Sequence, residues 1–497
     1  MSRRAPSGSD ARSSTKGSVS SGPRSDGERS RRTIRSPYPP AATGSLDRSP
    51  ADRWLELEPP WRPFADDVDR WAEVWWTSGA RWLAGDRGRV PNRLIAELGG
   101  VVDHLRTRGA RSLEGDPSEV ALRVVTARAH AMRLGPAMGD RSCGGATRIL
   151  RADDGILGVT LSRPDDLASV PAWLDVDPPE GSASDVSTWE LVERVVAARP
   201  VDELLERGVL LGLPVARLGE TPMPDVGPVR ALRTGDAPPR SLDGLVVVNL
   251  ASLWAGPLAA RLLGDLGASV ITVESIERPD GARRADAFFR SLHPGGEFVE
   301  LEFRSPTGRR ALADLLATAD VVIEGSRPRA LRQLGVDAES VLADDRGHAD
   351  GPRVWLSITG HGRIGVAADR VGFGDDAAVA GGLVGHDGRG PHFVGDAIAD
   401  PTTGLIAAAT VVDLLERGGR WLVDAALARS AAWCAEPSHS GSDVREARFD
   451  RSPPRPTGWC MDDTSRHDVS SGRDTDRVLA ERAIRSPAVG DGGRHPD

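Results

Sequence analysis

Two stretches of this chain carry regular hydrophobic patterning, residues 52–218 and 242–435. In the second, Val246-Val-Val-Asn-Leu250 is a continuous apolar run, as expected for a strand covered on both faces. A helix is predicted from Pro257, with proline at its start and Gly267 at its end. Ala268–Glu274 reads as the next strand, and Phe298–Phe303 alternates. An amphipathic helix from Thr307 leads into a strand at Asp320–Glu324, and Arg353–Ile358 is another. This alternation predicts an α/β fold with a doubly wound, mainly parallel sheet, joined by right-handed crossovers.

In the first stretch the spacing predicts helices over 66–76, 91–106 and 117–133, then a strand after the Asp154-Gly155 turn. Helices begin near Pro164 and Trp189, and Leu204–Leu211 ends a helix before a short strand at Pro214–Ala216. This makes a smaller α+β N-terminal region. Residues 219–241 are rich in Pro, Gly, Thr and Arg and are expected to be a linker. Residues 1–50 and 436–497 have too few large apolar side chains to offset chain entropy, and both are expected to be disordered tails.

Composition narrows the class. The 39% hydrophobic and 27% charged content is ordinary for a globular chain of 497 residues, and a net charge of −9 disfavours nucleic-acid binding. No apolar run suits a bilayer. The three cysteines, Cys143, Cys434 and Cys460, show neither paired metal-ligand spacing nor a disulfide framework, so a reducing, cytoplasmic setting and no metal are expected. Lys16 is the sole lysine among 63 basic residues, so cationic contacts in the folded part fall to arginine.

The order of motifs from 242 to 430 resembles the large domain of the class III CoA-transferases, a family of formyl-CoA, carnitine and bile-acid CoA-transferases and 2-methylacyl-CoA racemases. Leu242–Leu250, Ala255-Gly256-Pro257 and Ala268–Glu274 look like its opening strand, helix start and second strand. Pro306-Thr-Gly-Arg309, Ala319–Pro328, Leu334-Gly-Val-Asp337, Ser357–Gly362, the Gly372–Leu383 segment and Leu414–Leu427 follow in the family's order. Asp154–Ala216 is similar to the family's small domain, here placed before the large one.

Asp400-Pro-Thr-Thr-Gly404 occupies the place of the family's nucleophilic aspartate. The resemblance implies that Asp400 is catalytic, forming acyl and CoA adducts in a transfer from an acyl-CoA to a carboxylic acid. A plain helix cap is the competing reading of an Asp-Pro pair. The resemblance also implies CoA contacts from Trp254, Ala255, Gly256, Pro257, Glu274, Gly325, Ser326 and Arg327. CoA thioester then serves as substrate, with no tightly bound cofactor, and the protein is a homodimer.

Departures from the family's pattern include Pro294-Gly-Gly-Glu297 at a usually basic turn and Gly325-Ser326 for a usual Asn-Phe. Gly372 and Gly374 stand where racemases carry catalytic residues, which disfavours racemisation. A degenerate member that binds CoA or a partner chain is the alternative. A nicotinamide-binding protein would need a Gly-x-Gly-x-x-Gly turn after Val248, which Ser252-Leu-Trp-Ala-Gly-Pro257 does not supply. Asp375 and Asp376 suit either acid–base work or a helix start, and His361, His386 and Gly144-Gly145 read as surface or turn residues.

Overall fold

The β-branched and leucine-rich runs become thirteen strands among the described residues. The computed structural model describes residues 54–65, 68–84, 90–177, 185–343, 351–436, 454–456, 459 and 468–484. The tail expected over 1–50 lies outside them.

The strands are β1 (Leu55–Leu57), β2 (Thr147–Arg151), β3 (Ile156–Thr160), β4 (Val215–Arg217), β5 (Val229–Gly235), β6 (Val246–Asn249) and β7 (Ser269–Ser275). They continue with β8 (Glu297–Leu301), β9 (Val321–Glu324), β10 (Val354–Thr359), β11 (Gly385–Asp387), β12 (Gly390–His392) and β13 (Arg420–Ala426). Eight form one sheet in the order β1-β5-β13-β10-β9-β6-β7-β8. All neighbours from β13 to β8 are parallel, while β5 runs antiparallel to both β13 and β1.

The chain leaves β6 towards β7 and β8, then returns to the other side of β6 with β9 and β10. The direction of winding therefore reverses between β6 and β9. In such sheets a crevice opens there, beyond the carboxyl ends of the strands.

The Ala399–Arg417 helix lies in the middle of the main core, with alanine, leucine, isoleucine and valine on every side and fifteen of its residues buried. A helix apolar all round has no solvent face to offer, and this one packs against the Ala255–Asp265 and Asn92–Arg106 helices. The antiparallel β2-β3-β4 sheet and the Pro164–Leu174, Asp185–Val196 and Val201–Leu210 helices make a smaller core around Trp173.

Three expectations change. The stretch 219–241 contains β5, an internal strand of the large sheet, because Val229 and Ala231 alternate inward between β1 and β13. The helix expected over 117–133 is broken at Thr126 into Pro117–Val125 and Ala127–Ala131. The tail expected over 436–497 is ordered over 468–484, where the Thr475–Glu481 helix buries Val478 and Leu479. That segment covers the edge strand β8. The Asp474 carboxylate and the Thr475 hydroxyl each accept from a backbone N–H of β8, from Phe298 and Glu300, both at 3.0 Å. An uncovered edge is a template for intermolecular pairing, and this contact removes part of it.

Candidate active site

Asp400 lies in the first turn of the Ala399–Arg417 helix, yet it does not cap it. The N-cap is Ile398, with no side-chain capping bond. Ala397, just before, holds φ at 42°, a left-handed conformation unfavourable for a side-chain-bearing residue. The turn presses the Asp400 carboxylate against the start of the Gly374–Gly381 helix. A β-carbon at Gly374 would stand 2.4 Å from an Asp400 oxygen, and the Gly374 N–H donates to that carboxylate. Asp400 keeps partial solvent access, unlike the acidic residues around it.

Those neighbours form a dense cluster. Asp396 is fully buried and receives a forked contact from the Arg128 guanidinium, with Nε donating at 2.8 Å. Asp375 accepts from the Ala397 N–H at 2.8 Å and the Thr147 hydroxyl at 3.2 Å. Asp376 accepts from the Thr160 hydroxyl at 2.9 Å and the Phe373 N–H at 3.0 Å. Arg128 also lies 5.7 Å from the centre of the Trp254 ring, a cation–π distance.

Electrostatics follow from this crowding. Burial pushes Asp400 up to about 7; Arg128 pulls it back, while the charges of Asp375 and Asp396 add to the rise. The residual solvent access of Asp400 moderates that rise. Burial likewise raises Asp375 to about 6, with Asp396 adding to it, and Asp376 to about 7. A carboxylate balanced near neutrality beside a fixed cation can act both as nucleophile and as leaving group.

The residues expected to contact CoA fall on the two sides of the winding reversal. Trp254, Ala255, Gly256 and Pro257 follow β6; all four are buried, with Trp254 edge-on to Phe288 at 5.2 Å. Gly325, Ser326 and Arg327 follow β9 and are partly or fully exposed. Ala251 sits between the two sets. A β-carbon on Gly256 would stand 2.2 Å from the Ala251 methyl and one on Gly325 3.3 Å from it, so glycine keeps the crevice floor low.

Arg327 has no ion-pair partner among the described residues. Burial and the nearby charges of Arg329, Arg163 and Arg278 depress its pKa, which marks a patch of concentrated positive charge. Glu274 ends β7 and is engaged internally. It accepts from Arg283 and from the Asp280 N–H, both at 2.9 Å, and Asp280 in turn holds the N–H of Leu253, a loop residue with φ of 72°. Glu274 thus shapes the loop that leads to Trp254.

The helix from Ala399 packs against the Ala255–Asp265 helix that follows β6. Gly404, one turn on, packs against the Ala255–Asp265 helix, where an added β-carbon would stand 2.7 Å from the Ala255 carbonyl oxygen. His361 is buried, and its pKa is pushed down to about 3 by burial and then by Arg370, so it stays neutral. His386 is exposed on the β11–β12 hairpin. Gly144-Gly145 form a turn, with the Gly145 N–H on the Ser142 carbonyl at 2.9 Å.

Sequence reasoning overlooked Arg128, Asp396, Thr147 and Thr160. Asp396 had one available signal, its place four residues before Asp400; Arg128 had none, being 268 residues from its partner. Among the described residues no three His, Cys, Asp or Glu side chains are grouped to hold a metal ion, and no helix is long and apolar enough to cross a membrane.

Residues 242–465 match the family model of CoA-transferase family III. The succinate–glutarate CoA-transferase of Agrobacterium fabrum is 30% identical over 189 residues, covering 34% of this chain and 46% of that protein. The succinyl-CoA–L-malate CoA-transferase beta subunit of Chloroflexus aurantiacus is 33% identical over 214 residues, covering 39% and 51%. A solved structure of a CAIB/BAIF family protein from Brucella suis is 34% identical, covers 40% of this chain and 55% of its own, and superposes with a TM-score of 0.35. The chain spans about half the length of the curated relatives it matches.

Proposed function

We propose that the chain is a CoA-transferase that moves CoA from an acyl-CoA to a carboxylic acid through covalent intermediates on Asp400. The observation that carries this reading is the freedom of that carboxylate. It does not cap its own helix, its residue is only partly buried, and it is pressed against the Gly374 N–H.

An Asp400 oxygen attacks the thioester carbonyl and expels CoA thiolate, leaving an acyl–aspartyl anhydride. The thiolate attacks the aspartyl carbonyl, frees the donor acid and leaves an aspartyl–CoA thioester. The acceptor carboxylate attacks that thioester, releasing thiolate and forming a second anhydride. Thiolate then attacks the acceptor acyl carbonyl, which yields the new acyl-CoA and restores Asp400. Each step replaces one difficult transfer by an easier exchange. The Gly374 N–H and the Arg128 charge stand where negative charge on the aspartyl group is stabilised.

CoA lies along the crevice in this reading. Trp254, Ala255, Gly256 and Pro257 form one wall and Gly325, Ser326 and Arg327 the other, with Arg327 paired to a phosphate and Glu274 supporting the loop. The substrates are an acyl-CoA and a carboxylic acid, no cofactor is held tightly, and the chain works as a cytoplasmic homodimer.

Incubation with acyl-CoA followed by mass spectrometry of the peptide containing Asp400 tests the proposal. A CoA or acyl adduct that disappears in Asp400→Ala is the expected result. CoA binding without an adduct or exchange between acids would instead assign the chain to the binding, non-catalytic members. Light scattering after size exclusion checks the dimer.

A further inference from the structure

The turn before Asp400 is held by side chains from elsewhere in the chain. Ala397 has a φ of 42°, and its carbonyl oxygen accepts the Asp400 N–H at 2.9 Å, so this one residue sets the entry of the helix that carries Asp400. A side-chain-bearing residue keeps a left-handed backbone only where its surroundings over-determine it. Two contacts do so here. Arg128 forks onto Asp396, just before the turn, and the Asp375 carboxylate accepts the Ala397 N–H at 2.8 Å.

Asp375 is itself braced from the smaller core. Its second oxygen accepts the hydroxyl of Thr147, the first residue of β2, at 3.2 Å. Thr147 faces Thr160, at the end of β3, across 3.0 Å, and Thr160 meets Asp376 at 2.9 Å. All four side chains are buried. The β2–β3 hairpin comes this close because position 158 is glycine: a β-carbon there would stand 3.0 Å from the Val379 side chain on the Gly374–Gly381 helix.

The row of hydroxyls also decides where charge sits. Each threonine has one proton to donate. With both given to carboxylates, the Thr147–Thr160 contact has none. A proton on Asp376 completes the row: Asp376 donates to Thr160, Thr160 to Thr147 and Thr147 to Asp375. Asp376 suits the neutral form, since its other oxygen is buried without a hydrogen-bond partner among the described residues. Asp375, though near Asp396 and Asp400, faces the Arg128 charge. Arg148, Arg217 and Arg429, on elements packed against this helix, are turned to Glu193, Asp202 and Glu56. Asp375 is thus the ionised acceptor, and a charged acceptor makes the stronger bond to the Ala397 N–H.

We infer that Thr147 and Asp375 are positioning residues for Asp400: together they hold the Ala397 turn, and through it the Asp400 carboxylate against the Gly374 N–H. The hairpin of the smaller core thereby serves the site without touching substrate. The brace stands on its own geometry; its effect on turnover rests on the transfer proposed above.

Thr147→Val, Thr147→Ser and Asp375→Asn test it, with melting curves confirming that each variant is folded. Two quantities are measured: steady-state CoA exchange between acids, and carbodiimide labelling of Asp400 read by mass spectrometry. Thr147→Val is expected to lower kcat at least about tenfold and leave the KM for acyl-CoA within about twofold, because the brace acts on the reacting carboxylate and not on CoA. Labelling of Asp400 is expected to rise severalfold as the carboxylate leaves the Gly374 contact. Thr147→Ser keeps the hydroxyl and is expected to restore both. Asp375→Asn keeps an acceptor but loses the charge, and is expected to show the same changes in smaller measure. Wild-type kcat and labelling in Thr147→Val, or equal damage in Thr147→Val and Thr147→Ser, overturns the inference. A protein that forms no adduct but whose Asp400 labelling follows the Thr147 series keeps the positioning role and removes the covalent mechanism. Adducts formed at the same rate in wild type and Thr147→Val do the reverse.

Discussion

Gly374 and Asp400 meet so closely that no side chain fits between them: a β-carbon at 374 would lie 2.4 Å from the carboxylate and 2.3 Å from the Ala397 carbonyl oxygen. Gly374 is the first residue of its helix and has an ordinary backbone there, so the need for glycine is one of space alone. Gly374→Ala must move the strained Ala397 turn or the Asp400 carboxylate. We expect a loss of about 1–3 kcal/mol in stability, typical of overpacking, and a much larger fractional loss of CoA exchange. Denaturant melts and exchange assays of this variant measure the two effects; an active variant of normal stability would contradict the geometry.

The acidic cluster makes stability depend on pH in an unusual direction. Asp375 is raised to about 6, and Asp376 and Asp400 to about 7, from an ordinary 3.8. Between pH of about 4 and about 7 the folded protein therefore holds protons that the unfolded chain has released. Their contribution to stability is present at low pH and is lost as pH rises through the folded values. Asp376→Asn keeps an acceptor for Thr160 and removes the charge. Its melting temperature is expected to exceed that of wild type at pH 8, by about 2–4 °C per kcal/mol, with the difference fading as the pH nears 4. Thermal melts of both proteins across this range check the sign.

Arg128 biases Asp400 towards its ionised form. In the proposed transfer ionised Asp400 is the attacking form, so CoA exchange is expected to rise with pH and level off above about 7. Arg128→Met removes the charge that lowers the Asp400 pKa, and the rising limb is expected to move to higher pH. The same change strands buried Asp396, at a cost of about 3–5 kcal/mol. Arg128→Lys should restore part of both. A pH–rate profile that stays in place in Arg128→Met would show that the cation does not act on Asp400.

The segment 468–484 protects the sheet. Leu479 is fully buried in an apolar cluster with Val299, Leu301 and Leu312, and Leu479→Ala is expected to cost about 2–5 kcal/mol. Asp474→Ala combined with Thr475→Val frees the Phe298 and Glu300 N–H groups of β8 and is expected to promote association through that edge. Equilibrium unfolding follows the first variant and static light scattering the second.

The residue pattern was sufficient for the parallel half of the sheet. Val246–Asn249, Val321–Glu324 and Val354–Thr359 are mainly apolar because each lies between two layers, and the proline and glycine punctuation of the Ala255–Asp265 and Pro306–Ala317 helices is local chemistry. The place of Asp400 at the start of a helix was also legible, through an ordered series of motifs. Its release from capping duty was not, since that depends on the φ of Ala397.

β5 escaped notice because prolines, glycines and arginines surround a strand of which only Val229 and Ala231 are fully buried. The 468–484 segment escaped because it has few apolar residues of its own and relies on those of the sheet it covers. Tertiary structure alone brought Arg128 to Asp396. Periodicity records what a residue's near neighbours in sequence require, whereas charge pairing and desolvation depend on neighbours in space, and here those come from opposite ends of the folded chain.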